Sequence, residues 1–521
     1  MIKLPNAGGE ALAKAVEAAY ERGETDYSLK PLNLVDEDGK ALGLIKAGDS
    51  VIFCCRRGER ETELTDAFTE PDFSGFEREE LKPLDFVILT MYSEKYTYLP
   101  VAFAPSKVHN TLAQTISKAG KTQLHCAESE KFAHVTFFFN GGEAKPIEGE
   151  TDIKIQSLKG IPFERKPEMR LPDVADEVIK GLVSGYDFII TNFANGDVIG
   201  HTSNCEAKVA AAEAVSRSLG VVLEAAKREG YTVLVTADHG NLEVMRTKEG
   251  KPHVAHTTNL VYCAALSPNA KVVKAEGKLA DVAPTVLSSM GLDKPDDMTG
   301  SPLFEFEKPA KTLLIVLDGW GKGEENDDNP IFLADTPVWD ALIADNPTVL
   351  LRASGDAVGL EPVKAGNSEA GHINLGAGRV ILQDDVRLDA AMRDGSFGKN
   401  PAFVTALENA RERGGALHLI GLLTKKSSHG SMDYPLALLD MAKERGFENV
   451  CVHIIFDGRS TEPGSAPALL RDFGSIMEEK GVGCMVSGVG RGVALDRDRN
   501  WDKVKCAYNS MVLGIGQAYR K

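Results

Sequence analysis

The sequence has no stretch of about 20 apolar residues, so no segment is suited to cross a bilayer as a helix. Met1-Ile2-Lys3-Leu4-Pro5 opens no apolar signal core either. No CxxC pair occurs: the eight cysteines, at 54, 55, 126, 205, 263, 451, 484 and 506, are scattered along the chain. That pattern favours buried or free thiols in a reducing compartment over a disulfide framework. Basic residues are in deficit, 59 lysines and arginines against 76 acids, for a net charge of -17. A general nucleic-acid or anionic-membrane binder is therefore not expected, although a local basic cluster can still hold a phosphorylated substrate. There is no tandem repeat and no low-complexity segment. What remains is a chain of 521 residues, 43% hydrophobic and 26% charged, long enough for more than one domain. A soluble cytoplasmic protein is the expectation.

Short apolar runs alternate with longer amphipathic stretches. Val51–Phe53, Val135–Phe139, Phe188–Ile190, Val233–Val235, Leu313–Leu317 and Val452–Phe456 read as buried strands. Ala207–Arg228, Val338–Ala344, Ala402–Arg413 and Leu436–Arg445 carry helical spacing of alanine and leucine with charges opposite. Such alternation predicts an α/β fold with largely parallel sheets. Pro100–Pro105, Phe304–Lys311 and the Gly-rich stretch around Gly371–Gly378 read as linkers.

Three of the predicted strands end in polar clusters, the place where open α/β sheets hold ligands. One delivers Asp318-Gly319, one leads to Asp197 and His201, and one delivers Asp238-His239, with His253 and His256 following. A surface acid beside a core histidine would explain any single pair. Together, three aspartates and three histidines, with His253 in reserve, offer mixed oxygen and imidazole ligands. That set suits manganese or zinc better than calcium. Gly366-Asn367-Ser368-Glu369 could be an ordinary helix N-cap. Beside a metal cluster, however, Ser368 makes chemical sense as a nucleophile, because a bound metal lowers the pKa of its hydroxyl. Arg56, Arg57, Arg60, Arg459, Arg491, Arg497 and Lys131 are candidates for an anion clamp, although any one alone is better explained as a solvated charge.

With these residues in view, the sequence resembles the cofactor-independent (2,3-bisphosphoglycerate-independent) phosphoglycerate mutases of the alkaline phosphatase superfamily. The matching segments are Leu317–Gly321, Gly366–Glu369, Ala127–Phe139, Asn192–Thr202, Thr236–Asn241, Ala255–Thr258 and Leu279–Thr285, with Asp496–Asp498 and Trp501-Asp502. They cover nearly the whole chain, but their order is rotated, as in a circular permutant. Lys521 and Met1 correspond to adjoining positions inside the family's arginine-bearing domain.

The resemblance implies two α/β domains with the active site between them: a phosphatase-like domain over 106–382 and a smaller phosphotransferase-like domain split into 383–521 and 1–105. It implies one metal on Asp197, His201 and His256 and another on Asp238, His239, Asp318 and Ser368, manganese being the family's usual ion. Lys131 would steady the transferring phosphoryl group. Arg57, Arg60, Arg459, Ser460, Arg491, Arg497 and His429 would meet the substrate. The implied reaction interconverts 3-phosphoglycerate and 2-phosphoglycerate through phosphoserine, with no 2,3-bisphosphoglycerate requirement, no nucleic-acid or membrane partner, and a monomeric enzyme.

Departures from the family pattern cluster in the phosphotransferase-like half. The family's Asp-Gly-Arg-Asp reads Asp457-Gly458-Arg459-Ser460, and its Phe-Asn-Phe-Arg reads Cys54-Cys55-Arg56-Arg57. Gly-Arg-Tyr-Tyr reads Gly490-Arg491-Gly492-Val493, and the histidine-rich stretch keeps His429 but has Lys425-Lys426 upstream. Two rivals follow: a metal-dependent phosphatase or mutase for another phosphorylated metabolite, and a metal-binding pseudoenzyme.

Overall fold

Runs such as Leu313–Leu317 and Val452–Phe456 are apolar at successive positions, the composition of strands covered on both faces. In the computed structural model, which describes residues 8–56, 58–104, 107–268, 270–425, 427 and 429–520, they lie at the centres of two eight-stranded sheets. The chain divides into two α/β units, Met1–Pro105 with Arg387–Lys521, and Ser106–Val386. Among the described residues no helix is long and apolar enough to cross a membrane.

In the continuous unit, strand Thr312–Leu317 runs parallel between Thr232–Thr236 and Phe188–Phe193. Gln123–Glu128 and Glu150–Ile155 extend the parallel part beyond Phe188–Phe193. On the other side Val261–Leu266 is antiparallel to both Thr232–Thr236 and Thr348–Arg352. Helix Cys205–Arg228 begins at Asn204, whose side chain accepts from the Ala207 amide, and buries alanines and leucines against this sheet's core.

The split unit has Leu417–Leu423, Val450–Phe456 and Cys484–Gly490 in parallel register, with Ser50–Cys54 and Asp85–Thr90 continuing the sheet. Strands from opposite ends of the sequence are thus direct neighbours. At the far edge Leu32–Leu34 pairs in parallel with Gln517–Tyr519.

A polar chain crosses the split unit's sheet. His418 Nε2 lies 3.1 Å from Asp49 Oδ2, its Nδ1 3.0 Å from His453 Nε2, and His453 Nδ1 2.7 Å from Ser487 Oγ. Burial pushes the His453 imidazole well below its ordinary value, and His418 adds to the effect. Burial alone would raise Asp49, but His418 outweighs it and holds the carboxyl below its usual range. Both shifts make the unfolded chain the better proton binder. The stabilisation is therefore present above about pH 6.5 for the histidine and is lost as pH falls. Each such proton steepens the loss by about 1.4 kcal/mol per pH unit. Thermal unfolding of His453→Asn between pH 7 and 5 should show a shallower acid slope than the parent. An equal slope would place the acid sensitivity elsewhere.

Four readings of the sequence are corrected. Val135–Phe139 is not a strand: His134–Phe138 is a π-helical turn, and a short apolar run does not distinguish the two. The glycines of Gly371–Gly378 serve packing within helix Ser368–Ala377 rather than a linker. A Cβ on Gly376 would sit 1.9 Å from the Phe139 carbonyl oxygen. Val101–Phe103, inside the supposed linker Pro100–Pro105, is an edge strand parallel to Asp85–Thr90. Within Phe304–Lys311, Phe304 is fully buried and pairs with Val272, while Glu305, Glu307–Pro309 and Lys311 are exposed.

Candidate active site

The parallel strands of the continuous unit deposit their polar residues at one edge. Thr312–Leu317 leads to Asp318, Phe188–Phe193 to Asp197, Thr232–Thr236 to Asp238-His239, and Gln123–Glu128 to Lys131. Close approach of these turns requires glycine. Gly319 has φ +69° and its absent Cβ would lie 2.7 Å from the Asp197 amide nitrogen. Gly371 brings helix Ser368–Ala377 against Asp238, where a Cβ would stand 2.7 Å from the Asp238 Cβ.

Ser368 opens that helix, with Asn367 as N-cap accepting from the Ala370 amide at 2.8 Å. The helix N-terminus favours negative charge at this point. Lys131 Nζ donates to Ser368 Oγ at 2.6 Å, to Asp197 Oδ2 at 2.6 Å and to Asp318 Oδ1 at 2.8 Å. Ser368 Oγ also donates to Asp318 Oδ1 at 3.2 Å, and His239 Nε2 lies 3.0 Å from it. Burial alone would lower the Lys131 ammonium, but Asp318, Asp197 and Asp238 reverse this and hold it above the ordinary lysine range. The hydroxyl is therefore gripped by a permanent cation, in a nearly water-free setting where charge counts most.

The histidines report what the cluster can hold. His201 donates its Nδ1–H to the Val254 carbonyl at 2.9 Å, and His256 donates its own to Gly366 at 2.8 Å. Both Nε2 atoms then point lone pairs inward, 3.1 Å from each other and 3.2 and 3.0 Å from Asp197 Oδ1. Two facing lone pairs repel unless a proton or a metal cation stands between them. Asp197 raises the His201 imidazole; at His256 burial works downward, but Asp197 outweighs it. Three carboxylates against one ammonium leave negative charge uncompensated, and the buried Asp238 Oδ2 accepts no hydrogen bond. The donor set fits divalent cations.

Asp197, His201, His239, His256, Asp238, Asp318, Lys131 and Ser368 thus come together. His239 Nε2, 3.6 Å from Asp238 Oδ2 and from Asp318 Oδ1, also lies 3.9 Å from Asp197 Oδ1, so it bridges the two ligand groups. His253 stays out: its carbonyl accepts from Lys208 Nζ at 2.7 Å, and its Nδ1 is buried without a partner. Sequence reasoning missed His372, one helical turn after Ser368. Its Nδ1 lies 2.9 Å from the Ser368 carbonyl and 3.2 Å from Asp238 Oδ2, and its Nε2 3.0 Å from Asn192 Nδ2. With Nδ1 on the Ser368 carbonyl and Nε2 on Asn192, both nitrogens are committed, and His372 braces the start of the Ser368 helix rather than offering a lone pair. The i, i+4 spacing was the available signal.

In the split unit the parallel strands likewise present their chemistry at one edge. Arg56 and Arg60 follow Ser50–Cys54, His429 follows Leu417–Leu423, and Arg491 follows Cys484–Gly490. Arg56, Arg60, His429 and Arg491 are buried, whereas Arg459, Ser460 and Arg497 are exposed. Arg491 Nη1 meets Asp457 Oδ1 at 2.5 Å, Arg60 Nη1 donates to the Leu495 carbonyl, and the Arg56 amide donates to the His429 carbonyl at 2.8 Å. Arg57 lies outside the described residues.

Residues 16–294, more than half of the chain, match the family model of the metalloenzyme superfamily. The chain belongs to that superfamily. In this superfamily member, residues 388–521 also match the model of the BPG-independent PGAM N-terminus. A 2,3-bisphosphoglycerate-independent phosphoglycerate mutase 1 of Methanosarcina acetivorans is 46% identical over 303 residues, 58% of each chain. A 2,3-bisphosphoglycerate-independent phosphoglycerate mutase of Salinibacter ruber is 42% identical over 301 residues, 57% of each. The match thus spans less than two thirds of these relatives' length. A phosphoglycerate mutase structure from Leishmania mexicana is 31% identical over 52% of this chain and 53% of its own, at a TM-score of 0.41.

Proposed function

We propose that this metalloenzyme interconverts 3-phosphoglycerate and 2-phosphoglycerate through a phosphoserine at Ser368, without 2,3-bisphosphoglycerate. The observation that carries the reading is Ser368 Oγ, held by Lys131 and His239 amid three aspartates. The names of the relatives supply the substrate class. Two divalent ions, manganese by preference, would sit on Asp197, His201 and His256 and on Asp238, His239, Asp318 and Ser368. When bound they supply charge neutralisation and acidify the serine hydroxyl.

Ser368 Oγ attacks phosphorus, and the glycerate oxygen departs with the bonding pair. Lys131 neutralises charge on the transferring oxygens, an interaction that strengthens as charge accumulates there. The glycerate then turns, and its other hydroxyl takes the phosphoryl group back. In this reading Arg57, Arg60, Arg459, Arg491, Arg497 and His429, with Ser460 nearby in sequence, receive the substrate's carboxylate and hydroxyls.

The order of the segments supports a circular permutation of the family's chain. A model named for an N-terminus matches the last residues here, 388–521, and Leu32–Leu34 lies beside Gln517–Tyr519. Joining the present ends through a short flexible linker and opening the chain near Lys308 tests the rotation, the expected product being a folded, metal-dependent enzyme of similar turnover.

The departures at Ser460 and Cys54-Cys55 favour a second reading, a phosphatase or a mutase for a related metabolite. Product analysis separates the two. With 3-phosphoglycerate and manganese, 2-phosphoglycerate should form well in excess of free phosphate. Phosphate as the sole product would establish the phosphatase, and no product at all would return the choice to another substrate or a pseudoenzyme.

A further inference from the structure

The edge of the split unit holds a buried carboxylate with one oxygen left unpartnered among the described residues. Glu61, in helix Gly58–Thr69, is fully buried, and its Oε1 lies 3.0 Å from His429 Nδ1. Its Oε2 has no hydrogen-bond partner among the described residues. A buried carboxylate oxygen left unpaired is costly, and such groups are retained where function needs them. The carboxylate takes the Nδ1–H of His429, which fixes the tautomer and leaves Nε2 uncommitted.

The chemistry of this edge calls for such a pair. A glycerate hydroxyl must lose a proton when it takes the phosphoryl group and regain one when it gives it up. Ser460, where the family carries an aspartate, is an exposed hydroxyl and no base at neutral pH. Asp457 also keeps a buried oxygen, Oδ2, without a partner among the described residues, but it pairs with no imidazole there: its Oδ1 is tied at 2.5 Å to Arg491, whose guanidinium does not exchange its proton. Cys55, which lies near Glu61 and Arg491, is fully buried, and burial raises its thiol well above the ordinary range. Tyr92, also near Glu61, is raised in the same way. Neither is a base at neutral pH.

We propose that Glu61 and His429 form a carboxylate–imidazole dyad that carries the proton at the glycerate hydroxyls, the task left open by Ser460. This rests on the mutase reading above. In the first half-reaction the bond from phosphorus to one glycerate oxygen breaks with its electron pair on that oxygen. The oxygen takes the Nε2 proton of the His429 imidazolium. In the second half the other hydroxyl gives its proton to Nε2 as its oxygen bonds phosphorus, and the pair of the Ser368 Oγ–P bond returns to Oγ. His429 ends with the proton it began with. Glu61 is a positioning residue, acting through His429.

Glu61→Gln keeps an acceptor for Nδ1–H but removes the charge. It should lower kcat about 100-fold, leave KM within about twofold, and raise the ratio of phosphate to isomer. Glu61→Asp should recover part of kcat at unchanged KM, which a purely structural ion pair would not produce. Parental kcat and product ratio in folded Glu61→Gln would overturn the dyad. If that variant does not fold, Glu61→Ala assayed with added formate decides: a tenfold or greater recovery supports the dyad and no recovery overturns it. A parent protein that makes no 2-phosphoglycerate would instead sink the mutase reading, so the two failures are distinct.

Discussion

Ser368→Ala is expected to lower mutase turnover by at least about 10⁵-fold while leaving the fold intact. Oγ is the only atom lost, and it is the atom on which Lys131, His239 and Asp318 converge at 2.6 to 3.2 Å. In the proposed reading His239 and Asp318 are committed to holding a cation and Lys131 is an ammonium, so none of them is free to take the phosphoryl group at a comparable rate. The helix should survive because Asn367 caps it and alanine is a good helix former. Thermal unfolding within a few degrees of the parent would confirm that the loss is chemical. Turnover above about 1% of the parent's would contradict the assignment of the nucleophile.

Removal of divalent metal is expected to have the next largest effect. Asp197, Asp238 and Asp318 crowd around one ammonium, and His201 and His256 turn their Nε2 atoms toward each other. Without a metal cation that charge stays largely uncompensated, and only Lys131 and the helix N-terminus remain to acidify the serine hydroxyl. Dialysis against a chelator should lower turnover at least about 100-fold, and manganese should restore it. The same addition should raise the unfolding temperature, since a ligand at 100 times its Kd stabilises the folded state by about 2.7 kcal/mol. Asp197→Asn should need far more manganese for both effects. Full activity in the chelated protein would mean that the cluster is structural.

How much of this was legible in the sequence varied with the kind of signal. The central strands were readable because burial on both faces demands unbroken apolar runs, as at Leu313–Leu317 and Val452–Phe456. The residues that gather at the candidate site could be picked out because they follow such strands within a few positions, as Asp318 and Asp238 do. Glycine misled in both directions: Gly371–Gly378 looked like a linker because propensity sees no packing partner, whereas Asp238 and Phe139 are what those glycines admit. Val135–Phe139 shows the limit of a short apolar run, which a π-helical turn and a strand satisfy equally. Phe304 carried no mark of burial within its Pro, Glu and Lys neighbours. His372 and Glu61 were missed for a related reason. Each meets a residue distant in the sequence, Asn192 and His429, and only the folded chain puts each pair at 3.0 Å.

The proposed reaction turns on the oxygen of Ser368. The direct measurement is peptide mass spectrometry of the manganese-loaded protein, acid-quenched during turnover of 3-phosphoglycerate. A phosphate on the peptide containing Ser368, appearing with substrate and absent from Ser368→Ala, is the predicted result. Turnover to 2-phosphoglycerate with no phosphate at Ser368 at any quench time, or with the label on another residue, would contradict the account.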